Sequence, residues 1–124
     1  MMDTLEALTA DMEKVNLNIA VNYGAQQEIT RAVRSIAADV KAGLLAPEDI
    51  TKETVAARLY TGDQPPVDLM IRPSGEQRIS NFLLWQSAYA EFWYSDVLWP
   101  DFTERHFDEA LRAYEKRNRR FGGI

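Results

Sequence analysis

Arg72 and Arg78 bracket a polar stretch, RPSGEQRIS over residues 72–80, that also carries the Ser74 and Ser80 hydroxyls and the unrestricted backbone of Gly75. A guanidinium is a planar fork of N–H donors that matches phosphate oxygens in pairs and stays charged at physiological pH. Two such forks beside two hydroxyls make a loop suited to gripping phosphate or diphosphate. The stretch follows a short apolar run, residues 67–71, and open α/β sheets place ligands beyond the C-terminal ends of their strands. Ser80 has the side chain of a helix N-cap, and the free N–H groups of such a start would join the same anion site. A blander reading stands beside this one: a solvated turn in which Glu76 pairs with either arginine, since surface ion pairs are common and weak.

Glu91 lies among Tyr89, Ala90, Phe92, Trp93 and Tyr94, and an unpaired carboxylate buried there would be costly. It needs Mg²⁺, which completes its shell with phosphate and water, or an ion pair with one of the arginines, or exposure on an outer face. Phe82, Leu83, Leu84 and Trp85 read as core or interface, as large apolar residues usually do. His106 has no second ligand near it in sequence and reads as a surface residue. The basic run at residues 116–123 either favours a helix C-terminus, with a glycine closing it, or contacts phosphate.

The elements that must position these groups are those of one small domain spanning residues 1–124. Hydrophobic residues make up 46% and charged residues 27%, the balance of an ordinary globular chain. The net charge of −5, from 14 basic and 19 acidic residues, excludes the broad basic face that nucleic acid demands, yet leaves local clusters able to hold a small anion. With no cysteine, disulfides and thiolate chemistry are excluded. No apolar run approaches the roughly 20 residues of a membrane span, and the acidic start, Asp3 and Glu6, does not resemble a secretory signal. The expected location is the cytoplasm.

Leu5, Leu8, Met12 and Val15 recur at helical spacing and predict a short amphipathic helix. Leu17, Ile19 and Val21 then alternate with polar or small residues, predicting a strand over residues 16–22. Residues 27–45 carry Ile29, Ala32, Val33, Ile36, Ala37 and Val40 on a helical period, with Gly43 as the stop. Thr51 caps a helix running to about Tyr60, with Ile50 and Val55 spaced as a hydrophobic staple. Residues 67–71 form the next strand, and strand, helix, helix, strand implies a right-handed crossover and a parallel sheet. The fold class is therefore α/β. Ser80 caps a brief helix through Gln86, while residues 89–94 suit a helix continuation or a strand equally. A turn at residues 99–102 precedes a last helix, capped by Thr103, whose apolar face is Phe107, Ala110, Leu111 and Tyr114.

DLMIRPSGEQRISNFLLWQSAYAEFWYSDVLWPDF over residues 68–102 and the closing RRFGG, with NYGAQQEI and APEDIT upstream, closely resemble the C-terminal half of the cis-prenyltransferases, the undecaprenyl and decaprenyl diphosphate synthases. The resemblance covers about residues 17–123. It implies a parallel-sheet fold, incomplete here, and condensation of isopentenyl diphosphate with an allylic diphosphate to form Z-polyprenyl diphosphate. It further implies that Arg72, Arg78 and Ser80 hold isopentenyl diphosphate, that Glu91 is associated with Mg²⁺, and that Trp85 and Tyr89 shape the site beside Ser74. The ending, Arg120-Phe121-Gly122, is similar to a tail that reaches a partner's active site in a homodimer. The family's catalytic aspartate belongs to an N-terminal half with no counterpart here, so the resemblance implies that this chain alone is inactive, takes the allylic diphosphate only with that half, and meets the membrane surface through its product. Ala25 and Gln26 stand where the family has glycine and arginine, and Pro73 where threonine is common. The first of these departures suits an alternative role, a noncatalytic partner that completes a full-length synthase.

Overall fold

The computed structural model describes residues 2–12, 14–62 and 64–117. Its elements in chain order are α1 (Met2–Thr9), α2 (Ala25–Lys41), a 3-10 turn (Pro47–Asp49), α3 (Lys52–Ala56), β1 (Leu69–Arg72), β2 (Glu91–Tyr94), a second 3-10 turn (Trp99–Asp101) and α4 (Glu104–Glu115). β1 and β2 pair in parallel, Leu69 opposite Glu91 and Arg72 opposite Tyr94. α4 packs on β2 and α2 on α3. The α/β class holds, in a two-stranded sheet.

The parallel pair is not the one expected. Residues 15–20 form no strand, and Leu17, Ile19 and Val21 are 81%, 61% and 70% exposed. Alternation marks a segment fit for a sheet, but a strand also needs a neighbour to take its N–H and C=O groups, and none lies beside this one among the described residues. The sheet instead joins β1 to the Glu91–Tyr94 segment, which resolves the ambiguity there in favour of a strand. The two strands are linked by residues 73–90 with no helix between them.

The helices keep the predicted order with shifted edges. α1 ends at Thr9, short of Met12 and Val15, which are exposed with Leu8 and so gain nothing from a helical face. α2 starts at Ala25 and stops at Lys41, with Gly43 just beyond in the left-handed region at φ 71°, a conformation open to glycine at no steric cost. Its buried positions are Ala25, Glu28, Ala32 and Ile36, whereas Val33 is 53% exposed. Thr51 caps α3 as expected, accepting from the Thr54 N–H at 3.3 Å, but the helix ends at Ala56 and continues in turns that bury Leu59. Gly62 comes so close to the Ala57 carbonyl that a Cβ there would meet it at 2.7 Å, so this fold-back depends on glycine.

In α4 the buried face is turned from the predicted one. Phe107 and Leu111 are exposed, and the buried residues are His106 and Ala110. His106 is not a surface residue: its Nδ1 accepts the Thr103 N–H at 3.0 Å, completing the capping box, and its ring lies 5.7 Å from that of Phe102. A local backbone donor thus outweighs the apolar pattern in setting the helix rotation. The apolar core is correspondingly thin, comprising Ala25, Ala32, Ile36, Leu59 and Ala110. The chain exposes 10037 Å², against about 6,800 Å² for a typical folded monomer of 14.2 kDa. No helix among the described residues is long and apolar enough to cross a membrane.

Candidate functional site

An open cleft of ≈ 450 Å³ lies at the C-terminal end of β1. Met70, Ile71, Arg72, Pro73, Ser74 and Glu76 form one wall, and Phe82 and Trp99 close over it. Arg72, the last residue of β1, is fixed by the ladder through its carbonyl, which accepts the Ser95 N–H at 3.1 Å. Its guanidinium reaches the Ser80 hydroxyl at 3.4 Å and has no carboxylate partner among the described residues. A cation held on a rigid strand end and left without a counter-ion is available to an anion. Ser74 stands beside it at φ 71°, and its N–H is tied to the Val97 carbonyl at 2.8 Å. Gly75, also left-handed at φ 69°, donates to the Ser95 carbonyl at 2.9 Å. The start of the loop is therefore stitched to the chain that follows β2.

The second arginine is held differently. Arg78 forms an ion pair with Glu76, as the solvated-turn reading expects for this half of the loop. Ser80 begins no helix. Ser80, Asn81 and Leu83 take φ values of 51°, 59° and 47°, and left-handed residues cannot propagate a right-handed helix. The anticipated row of free N–H groups after Ser80 is thus replaced by a run of turns through Ala90. Such conformations in residues other than glycine cost about 1–3 kcal/mol each and persist where surrounding contacts impose them.

Those contacts come from α2. The Ala25 N–H donates to the Asn81 carbonyl at 2.8 Å and the Gln26 N–H to Asn81 Oδ1 at 2.9 Å, so Asn81 caps a helix 55 residues away in sequence. Beneath it Glu28 is fully buried. Its carboxyl oxygens accept from the Tyr23 hydroxyl at 2.5 Å, the Tyr60 N–H at 2.7 Å and Gln86 Nε2 at 3.1 Å. Burial, and then the Glu28 carboxyl group beside it, hold the Tyr23 phenol well above its ordinary range. The Tyr23 ring meets that of Phe82 edge-on at 5.6 Å, so this buried knot supports a wall of the cleft. Sequence reasoning missed Glu28, Asn81, Phe82 and Trp99 as parts of the site. Glu28 had one legible signal, its place on the same stripe as Ala25, Ala32 and Ile36.

The remaining expected residues lie apart from the cleft. Trp85 and Tyr89, 37% and 62% exposed, do not line it. Glu91 opens β2 at the opposite end of the sheet from Arg72, three residues or about 10 Å away along a strand. Its carboxylate pairs with Arg117 at 3.7 Å. One carboxylate suits Mg²⁺ in donor type, but no cluster of three acidic or histidine side chains occurs among the described residues. With Glu91 at the far end of the strand, these residues do not assemble a cation bridging it to a diphosphate on Arg72. Arg120 and Gly122 lie outside the described residues.

The family described as "Putative undecaprenyl diphosphate synthase" matches residues 1–122. A ditrans,polycis-undecaprenyl-diphosphate synthase of Haemophilus ducreyi is 59% identical over 118 residues, 95% of this chain and 49% of that protein. An isoprenyl transferase of Geobacillus kaustophilus is 58% identical over 108 residues, 87% of this chain and 42% of that one. Among solved structures, lavandulyl diphosphate synthase from Lavandula x intermedia, in complex with dimethylallyl diphosphate, superposes with a TM-score of 0.93 at 41% identity, over 97% of this chain and 52% of that one. The chain spans about half the length of the relatives it matches. With the family matched across nearly all its residues, the chain belongs to the undecaprenyl diphosphate synthase family of prenyltransferases.

Proposed function

We propose that the chain provides the isopentenyl diphosphate side of a cis-prenyl transfer site. The observation that carries this is the cleft's two-sided chemistry: the Arg72 guanidinium, which has no carboxylate partner among the described residues and bonds the Ser80 hydroxyl beside the cleft, with Ser74, and Met70, Ile71, Phe82 and Trp99 as apolar lining; Glu76, also in the lining, is paired with Arg78. A diphosphate with a short branched hydrocarbon matches both. Arg72 and Ser80 bind the diphosphate, and Arg78 joins them when it leaves Glu76. The apolar lining receives the alkene. In the reaction the allylic C–O bond of the second substrate breaks and diphosphate leaves. The isopentenyl alkene then forms the new C–C bond and gives up a proton, leaving a Z double bond. Relatives named as specific for (2E,6E)-farnesyl diphosphate point to a prenyl diphosphate as that second substrate. No step above draws on Mg²⁺ held by Glu91; that role and those of Trp85, Tyr89, Arg120 and Gly122 remain proposals from the resemblance.

A second reading, a noncatalytic partner of a full-length synthase, rests on Ala25 and Gln26 in place of glycine and arginine. Exposed Leu98, Trp99, Phe107 and Leu111 support association, with a second copy or with such a synthase. Isothermal titration of the chain with isopentenyl diphosphate tests the first reading. Arg72→Ala is expected to lose about 1.5–3 kcal/mol of binding, as for a charge-assisted hydrogen bond, and Arg78→Ala less because Arg78 starts out paired. Unchanged affinity in Arg72→Ala would sink the grip. Heterodimer formation that raises the turnover of a full-length synthase would favour the partner role.

A further inference from the structure

α2 begins without a cap of its own. Gly24, its N-cap residue, has no side chain to offer, and the first N–H groups of a helix need acceptors from elsewhere. Asn81 supplies them, with its carbonyl on Ala25 and its Oδ1 on Gln26, while its Nδ2 donates to Gln27 Oε1 at 3.2 Å. A Cβ at residue 24 would come within 2.9 Å of Asn81 Nδ2 and 2.3 Å of Gln27 Oε1, so a side chain there would push the ends of both amides aside. Asn81 is also the second of two consecutive left-handed residues, after Ser80, whose hydroxyl meets Arg72. Asparagine tolerates this conformation better than most residues, but it still needs an external hold.

We propose that Asn81 is a positioning residue for the anion grip: its three hydrogen bonds to the start of α2 fix the left-handed Ser80–Asn81 turn and so aim the Ser80 hydroxyl at Arg72. This rests on the diphosphate reading of the cleft. Asn81 does not touch the ligand; it acts through Ser80. The long loop of residues 73–90 has no helix or strand of its own; Gln86 and Phe82 hold its later part against Glu28 and Tyr23, and Asn81 is the tie next to Ser80. The capping of α2 and the shape of the site are one interaction.

The test compares Asn81→Gly, Asn81→Asp and Ile36→Ala in the full chain, reading isopentenyl diphosphate affinity, thermal midpoint and amide hydrogen exchange over residues 79–82. Asn81→Gly keeps the backbone conformation accessible and removes the two side-chain bonds of the clamp, leaving the carbonyl bond to Ala25. It is expected to weaken binding about five- to tenfold through lost preorganisation and to speed exchange in the turn. Asn81→Asp retains the acceptor for Gln26 and is expected to restore the slow exchange. Ile36→Ala, a core truncation on the same helix, lowers the thermal midpoint but leaves affinity and turn exchange as they were. Wild-type affinity in Asn81→Gly overturns the proposal, as does equal loosening of the turn in Ile36→Ala. Arg72→Ala, titrated in parallel, separates the two ideas. If it binds like wild type the diphosphate reading fails, and Asn81 with it as a positioning residue for that ligand, whereas loss in Arg72→Ala with no change in Asn81→Gly overturns Asn81 alone.

Discussion

Glu28 lies between Gln27 and Ile29 in a largely polar stretch and Glu91 between Ala90 and Phe92 among aromatic residues, and the fold treats them in opposite ways. Glu91, with aromatic neighbours on either side, keeps its side chain 27% exposed and meets Arg117 at 3.7 Å. Glu28 is completely buried and accepts from a phenol, a backbone amide and a side-chain amide, with no ion pair among the described residues. Apolar neighbours along the chain are thus a poor guide to where a carboxylate ends up. In β2 adjacent side chains point to opposite faces, so the aromatic residues beside Glu91 do not enclose it. On α2 the residues three and four apart share a face, and Ala25, Ala32 and Ile36 carry Glu28 inward with them.

The largest effect follows from removing the buried group. Glu28→Ala leaves three donors facing a cavity, and chemical denaturation is expected to show a loss of about 3 kcal/mol. A loss below about 0.5 kcal/mol would erase the contrast between the two carboxylates. Glu28→Gln separates shape from charge: it keeps an acceptor for the Tyr60 N–H but turns an NH₂ group toward both Tyr23 and Gln86, which share the other oxygen. A cost near half that of the alanine variant is expected on the same measurement.

The Tyr23 phenol tests the knot through pH. Its pKa in the fold is raised above the ordinary 10.0, so the folded state favours the protonated phenol more than the unfolded chain does. That contribution is fully present below about pH 10 and is lost as pH rises beyond it. Thermal midpoints are therefore expected to fall more steeply above pH 10 in the wild type than in Tyr23→Phe, and parallel curves would show that burial and Glu28 together do not hold the phenol protonated.

The smallest effect is at the exposed end. Glu91→Gln is expected to change stability by less than about 0.5 kcal/mol, as for a partly exposed ion pair, and to leave isopentenyl diphosphate affinity unaltered with or without Mg²⁺. If the substitution abolished a Mg²⁺-dependent gain in affinity, Glu91 would belong to the anion site after all, and the separation along β2 would not survive in the bound state.

The amino-acid sequence by itself determined the α/β class, the order of the main helices, the Thr51 and Thr103 caps, the left-handed stop at Gly43 and the place of the residue 72–80 loop at the end of β1. Each of these depends on local spacing or on one residue's backbone preference, which the chain carries wherever it folds. Only the tertiary structure decided which strand pairs with β1, that Arg72 lines the cleft with no carboxylate partner among the described residues while Arg78 is engaged by Glu76, and that Ser80 opens a left-handed turn and no helix. The fate of residues 16–22 was equally out of reach, because alternation does not supply a hydrogen-bonding neighbour. The buried place of Glu28 and the reach of Asn81 to α2 span 32 to 58 residues of chain. Contacts at that separation depend on how the elements pack, and no local pattern encodes them.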